Sequence, residues 1–262
     1  MRVCLLASGS RGNSTLIEAD GCRLLVDVGL SGRETERRLA TLGLSGEDLH
    51  AILVTHEHHD HVGGIGPLAR RYGLPVHIEQ QTHAALPKLG KIDHLQRFTA
   101  GDQFAFRDLT INTFSTTHDA VNPVGFVIHS SEGKVGFATD LGIPTRLVAD
   151  HLQQCRVLVV EANHDDQMLL DGPYPWHLKQ RIKGRHGHLS NVETRRLLQD
   201  VSWPGLEALF LAHLSEENNC PDMVSELFHQ TMLEYGHRPQ IIVGSQHQVS
   251  SCFVGALIQS TG

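Results

Sequence analysis

The stretch Ala51-Ile52-Leu53-Val54-Thr55-His56-Glu57-His58-His59-Asp60-His61-Val62-Gly63-Gly64 runs from an apolar strand into a loop dense in metal-binding side chains, then into a glycine turn. His56, His58, Asp60 and His61 are the candidate ligands. Side chains one residue apart on a loop leaving a strand can face one pocket. Asp60 and His61, being adjacent, can turn to a second ion about 4 Å away, the spacing of two-metal hydrolytic sites. The glycines allow the backbone to turn sharply beneath the site. A helical zinc motif needs its second His four residues after the first; here position 60 is Asp, and glycines interrupt the segment after it.

Outward from this stretch, histidine remains in excess, with 19 against 22 Lys plus Arg in 262 residues. Imidazole is the commonest protein metal ligand, so the excess agrees with a metal reading. The net charge of −7 excludes a globally basic nucleic-acid binder, so a polyanion partner must meet a local cationic patch. Five widely spaced cysteines without a CxxC pair predict free thiols, a reducing compartment and a cytoplasmic protein. The opening MRVCLLASGSRGNS reads as a first strand, not as a signal peptide. No stretch approaches the roughly 20 apolar residues of a membrane span, so no membrane partner is expected.

Short apolar runs predict strands at 3–7, 15–18, 23–27, 51–55, 75–78, 109–113, 125–129, 134–138, 157–160, 208–212 and 240–243. Helical spacing predicts helices over 33–42, 62–72, 191–199 and 221–235, the third opened by Ser190 with Glu193 three residues on. The early strands are hairpin-like and the later ones alternate with helices. That mixture predicts an α/β chain, a four-layer αββα sandwich of two mixed sheets flanked by helices. With no linker or repeat, residues 1–262 read as one hydrolase domain.

The pattern T-H-x-H-x-D-H-x-x-G resembles the signature of the metallo-β-lactamase-fold hydrolases, and further motifs of that family come in order: Asp27 in LLVDVG, His118 in STTHDA, Asp140 in FATDLG and His213 in LFLAHLS. The resemblance implies one metal held by His56, His58 and His118, a second by Asp60, His61 and His213, and Asp140 between them. Asp27 reads as a buried acceptor that orients a ligand His. Two divalent ions are implied, zinc or manganese, with iron a further option. His58 stands where redox-active di-iron relatives carry a carboxylate, which argues against electron transfer.

Metals alone leave thioesters, lactones and phosphodiesters open as substrates. Glu161-Ala-Asn-His-Asp165, Gly187-His-Leu-Ser190 and His213-Leu-Ser-Glu-Glu-Asn-Asn219 resemble the late motifs of nuclease branches such as ribonuclease Z. That resemblance assigns catalytic roles to His188, as proton donor to the leaving oxygen, and to Glu161, which orients it, beside Asp60. Lys179, Arg181, Lys183 and Arg185 form a cation run before His188; Arg181 and Arg185 are candidate backbone contacts. In the Ser8–Ser14 loop, Ser10, Arg11 and Asn13 are candidate phosphate contacts, and a plain hairpin turn explains that loop equally well.

The full motif set resembles the YycJ/WalJ-type subgroup, which implies a metal-dependent 5′-to-3′ exonuclease on double-stranded DNA, linked to DNA repair. DNA is favoured over RNA as partner; nothing in the sequence sets the oligomeric state. An acyl hydrolase of the glyoxalase II or lactonase type, and a ribonuclease or cyclic phosphodiesterase, are the alternatives.

Overall fold

A computed structural model describes residues 1–255. Its strands, in chain order, are β1 (Arg2–Ala7), β2 (Ser14–Ala19), β3 (Cys22–Val26), β4 (Ala51–Val54), β5 (Val76–Glu79), β6 (Leu95–Phe98), β7 (Gln103–Phe106), β8 (Leu109–Ser115), β9 (Val124–Ser130), β10 (Gly133–Ala138), β11 (Val157–Glu161), β12 (Ala208–Ala212), β13 (Gln240–Val243) and β14 (Phe253–Val254). The helices are α1 (Gly32–Thr41), α2 (His59–Val62), α3 (Ile65–Tyr72), α4 (Gln80–Ala84), α5 (Arg146–Leu152), α6 (Asp166–Asp171), α7 (Trp176–Ile182), α8 (Asn191–Val201) and α9 (Pro221–Glu234). One sheet has the order β14-β1-β2-β3-β4-β5-β6, the other β13-β12-β11-β10-β9-β8-β7. Each is mixed: antiparallel through β1–β3 and β7–β10, parallel through β3–β6 and β10–β13.

Strand periodicity explains the layering. Leu24 and Val26 point into the space between the sheets, where they join Phe126, Phe137, Val159 and Phe210. Leu25, one residue over, joins Leu39, Ile65 and Leu68 under α1 and α3. In the other sheet Val157 and Val159 face inward, while Leu158 and Val160 pack on Val148, Leu197 and Phe228 of α5, α8 and α9. Strands buried on both faces read as unbroken apolar runs, which is why the sequence shows them clearly. Each such side chain contributes about 1.5–3 kcal/mol. The αββα sandwich is therefore the expected one.

Strand direction sets the position of the chemistry. β8 lies two antiparallel steps from β10, and β10, β11 and β12 are parallel, so all four end at one edge of their sheet. β3 and β4, parallel in the first sheet, end with Asp27 and the Thr55–His61 loop.

Three expectations are corrected. The single helix predicted over 62–72 is split, because Gly64 packs so closely that a Cβ there would stand 2.0 Å from the Leu30 carbonyl oxygen. The strands β6, β7 and β14 and the helices α4, α5, α6 and α7 are additional. Finally, Cys4 and Cys252 form a disulfide with Cα atoms 4.6 Å apart; only Cys22, Cys155 and Cys220 are free thiols. The antiparallel pairing of β1 with β14, Val3 opposite Phe253, brings the two cysteines together across 248 residues. No helix is long and apolar enough to cross a membrane among the described residues.

His77 joins the two sheets at their β6/β7 edge. Its ring stacks on Phe104 at 4.9 Å and meets Phe106 edge-on at 5.2 Å, and its Nε2 has no partner. Burial pushes its pKa down to about 4. The unfolded chain binds that proton near pH 6.5 and the native chain does not, so stability is full above this value and falls as pH drops toward 4. Denaturant titrations at about pH 7.5 and about pH 5 should show His77→Phe losing roughly 2 kcal/mol less than the parent. An equal loss in both proteins refutes the assignment.

Candidate metal centre

Asp27, Asp140 and His213 each follow a strand with positive φ, +61°, +56° and +55°. Non-glycine residues rarely adopt this left-handed backbone, and such strain concentrates at functional sites. Here it turns all three side chains back over the strand ends. Gly29 permits the same crowding beneath, since a Cβ there would lie 1.6 Å from the Asp60 carbonyl oxygen.

The histidines share one arrangement: one ring nitrogen is engaged by the protein, and the other faces the cluster. His61 Nδ1 donates to Asp27 Oδ2 at 2.7 Å. Asp27 also accepts from the Thr55 amide at 2.9 Å and hydroxyl at 2.7 Å, which leaves the Thr55 oxygen to accept from His56 Nδ1 at 2.9 Å. His118 Nδ1 donates to the Gly187 carbonyl at 3.0 Å, and His58 Nε2 to the Asp119 carbonyl at 3.2 Å. His213 Nδ1 stands 3.4 Å from Glu161 Oε1, with the Asn163 amide at 3.2 Å. Such outer partners fix the tautomer and aim the remaining lone pair.

Those lone pairs converge. Donor atoms of His56, His58 and His118 lie within 4.8 Å of one another, as do those of Asp60, His61 and His213, and those of His56, His61 and Asp140. Asp140 lies between the trios: Oδ2 is 3.4 Å from His61 Nε2, and Oδ1 is 3.5 Å from His213 Nε2 and 3.8 Å from His118 Nε2. His56 Nε2 and Asp140 Oδ2 are buried with no hydrogen-bond partner. A buried acceptor without a donor is costly, and a cation between the trios satisfies both atoms. The all-nitrogen-and-oxygen donor set therefore fits divalent metals.

The electrostatics agree. Burial raises the Asp140 carboxyl, but the surrounding His213, His61, His56 and His118 outweigh it and hold the group well below the usual range. Burial opposes charge on His61 as well, yet Asp140 and Asp27 lift it to about 10. His213 is raised well above the ordinary imidazole value against its own burial, chiefly by Asp140. Protons thus balance the carboxylates when no metal does, and metal binding displaces them.

A second constellation adjoins the first. Glu161, at the end of β11, is fully buried; its Oε1 accepts from His188 Nδ1 at 2.7 Å, and its Oε2 accepts from the Leu141 and Leu189 amides, each at 3.0 Å. Burial raises its carboxyl, but His188 outweighs this and brings it to about 2. The His188 and His213 rings stack at 5.0 Å.

The seven expected ligands thus meet, with Asp27, Glu161 and His188 beside them. The anticipated substrate contacts divide. Ser10 and Arg181 line the cavity at the site. Asn13 is buried; its amide nitrogen donates toward Asp60 Oδ2 at 3.1 Å and stands 3.0 Å from His61 Nε2, so it braces the donor cluster and is not free for phosphate. Arg11 is drawn away to Glu216 at 2.6 Å, and Arg185 does not line the cavity. Two residues of the site carry no signal of their own in the sequence: Asn163, which braces His213, and Asp119, which joins His58 to Arg181 (2.6 Å). Asn163 lies inside EANHD and Asp119 inside STTHDA, and membership of those motifs was the available signal.

A family model described as the metallo-beta-lactamase superfamily matches residues 7–209, and the chain belongs to that superfamily. Among curated relatives, the chain is 38% identical over 250 residues to the exodeoxyribonuclease WalJ of Streptococcus pneumoniae, covering 94% of this chain and 91% of that one. It is 37% identical to the exodeoxyribonuclease YycJ of Bacillus anthracis, with 88% and 89% covered. Among solved structures, the metallo-beta-lactamase fold protein YhfI of Bacillus subtilis superposes with a TM-score of 0.70 at 19% identity, covering 95% of this chain and 99% of that one.

Proposed function

We propose that the protein is a dinuclear metal-dependent exodeoxyribonuclease that degrades double-stranded DNA from the 5′ end. The observation that carries this reading is the Glu161–His188 pair set against two donor trios joined through Asp140. A thioesterase expels a thiolate that leaves unprotonated and gains little from a second imidazole, whereas the poor alkoxide leaving group of a phosphodiester needs a proton.

His56, His58 and His118 would hold one ion and Asp60, His61 and His213 the other, with Asp140 available to both. When bound, the ions supply a nucleophile at neutral pH and neutralise charge on the phosphate being cut. His188, its Nδ1 proton held by Glu161, presents Nε2 toward the site and passes a proton to the departing sugar oxygen. Glu161 steadies the charged imidazole before that transfer. Ser10 faces the incoming phosphate, and Arg181, held by Asp119 at 2.6 Å, lines the cavity beside it. Zinc or manganese suits the donors, and a role in DNA repair in the cytoplasm suits the substrate; that compartment rests on DNA, not on the cysteines. The chain works as one hydrolase domain.

The direct test is a 5′-labelled duplex incubated with purified protein and Mn²⁺ or Zn²⁺, beside single-stranded RNA, a cyclic nucleotide and a thioester. Stepwise release of mononucleotides from the duplex, abolished by chelation and restored by metal, is expected. Turnover of the thioester with no loss of DNA overturns the reading.

A further inference from the structure

Beside the donor cluster lies a cavity of about 200 Å³, with Ser10, His188 and His213 on one wall and Tyr174, Leu178 and Ile182 on the other. The second wall is unexplained by the metal chemistry. No side chain of α7 is fully buried, yet α7 is held firmly: Lys179 Nζ donates to the Leu170 and Gly172 carbonyls at 2.6 and 2.7 Å, tying α7 to the end of α6. Tyr174 is half-buried, and among the described residues its hydroxyl makes no hydrogen bond and its ring meets no other ring. Prolines flank it, and Pro175 heads α7 with φ of −64°. A ring on so stiff a backbone loses little freedom when something stacks on it.

Two unlike walls suit a ligand with a flat apolar part joined to an anionic part. Metal at the donor cluster, with Ser10, would take the anion; Tyr174, Leu178 and Ile182 take the flat part. We infer that this cavity holds the base of the terminal nucleotide, stacked on Tyr174, while its phosphodiester lies at the donor cluster. The inference rests on the nuclease reading and adds its specificity element. A cavity of about 200 Å³ suits a single base, so on this reading the terminal pair opens before the cut and nucleotides leave singly. Every base has a π-face, so the pocket selects a nucleotide end without selecting sequence.

The test compares two duplexes, one ending in an ordinary 5′ nucleotide and one in a 5′ abasic residue, with wild type, Tyr174→Ala and Tyr174→Phe. On the ordinary end Tyr174→Ala should raise KM about tenfold to a hundredfold while kcat changes little, and Tyr174→Phe should restore the parent value. On the abasic end the wild type should already show the raised KM, with no further loss from Tyr174→Ala, as expected when both changes remove one contact. Additive losses, or failure of Phe to rescue, overturn the pocket while leaving the nuclease reading intact. A wild type that degrades neither duplex overturns the nuclease reading itself.

Discussion

Asp140→Asn should cost on the order of a thousandfold or more in DNA hydrolysis, beyond the roughly 10–100-fold usual when an outer partner of a ligand is lost. Asp140 stands between the two trios, with His61, His213 and His118 at 3.4, 3.5 and 3.8 Å from its two oxygens. Asn preserves the volume and one acceptor but removes the charge that balances two cations. Metal content should therefore fall together with activity. Elemental analysis of the purified variant by mass spectrometry, alongside a thermal melt to confirm folding, separates this from simple destabilisation. A folded variant that retains both metals and full activity sinks the dinuclear assignment. Excess metal should rescue part of the loss, since all six other donors are in place.

Those donors were legible before any coordinates because each sits where a buried strand stops, and a buried strand announces itself as an apolar run. AILV before the His56–His61 loop and ALFLA before His213 are strands of this kind, and CRLLV runs in the same way into Asp27, the outer partner of His61. What escaped the sequence had no such run. α7 buries no residue fully: its Leu178 and Ile182 line the cavity beside the site, and with Lys179 and Arg181 between them WHLKQRI reads as a cation cluster. β6 (LQRF) and β7 (QFAF) are edge strands, half exposed and only four residues long, and His77 covers their aromatic side chains from another strand. The Cys4–Cys252 pairing depends on β14 returning to β1, a contact 248 residues apart that no local spacing encodes. Arg11 shows the opposite error: a cation in a small-residue loop suggests phosphate, but Glu216 and His247 on other segments claim it.

Glu161→Gln should lower kcat on DNA by about 10²- to 10⁴-fold, the range for loss of general acid–base assistance, with metal content unchanged. Glu161 could in principle be a ligand, because its oxygens lie within 4.8 Å of donors on Asp140, His188 and His213. Its hydrogen bonds argue otherwise: one oxygen already takes two backbone amides, and the other takes His188 Nδ1. In the variant the amide oxygen can keep the Leu141 and Leu189 contacts, which places the –NH₂ against His188. An imidazole facing a donor must turn its Nδ1 lone pair toward it. Nε2 then has no acidic proton to pass on. The requirement for that proton depends on the leaving group, which gives the decisive control. With bis-(p-nitrophenyl) phosphate, whose leaving anion is stable unprotonated, the loss should shrink to less than about tenfold. His188→Ala should show the same pattern. Equal losses on both substrates, together with a fall in bound metal, would instead make Glu161 a ligand and leave the leaving oxygen without its proton donor.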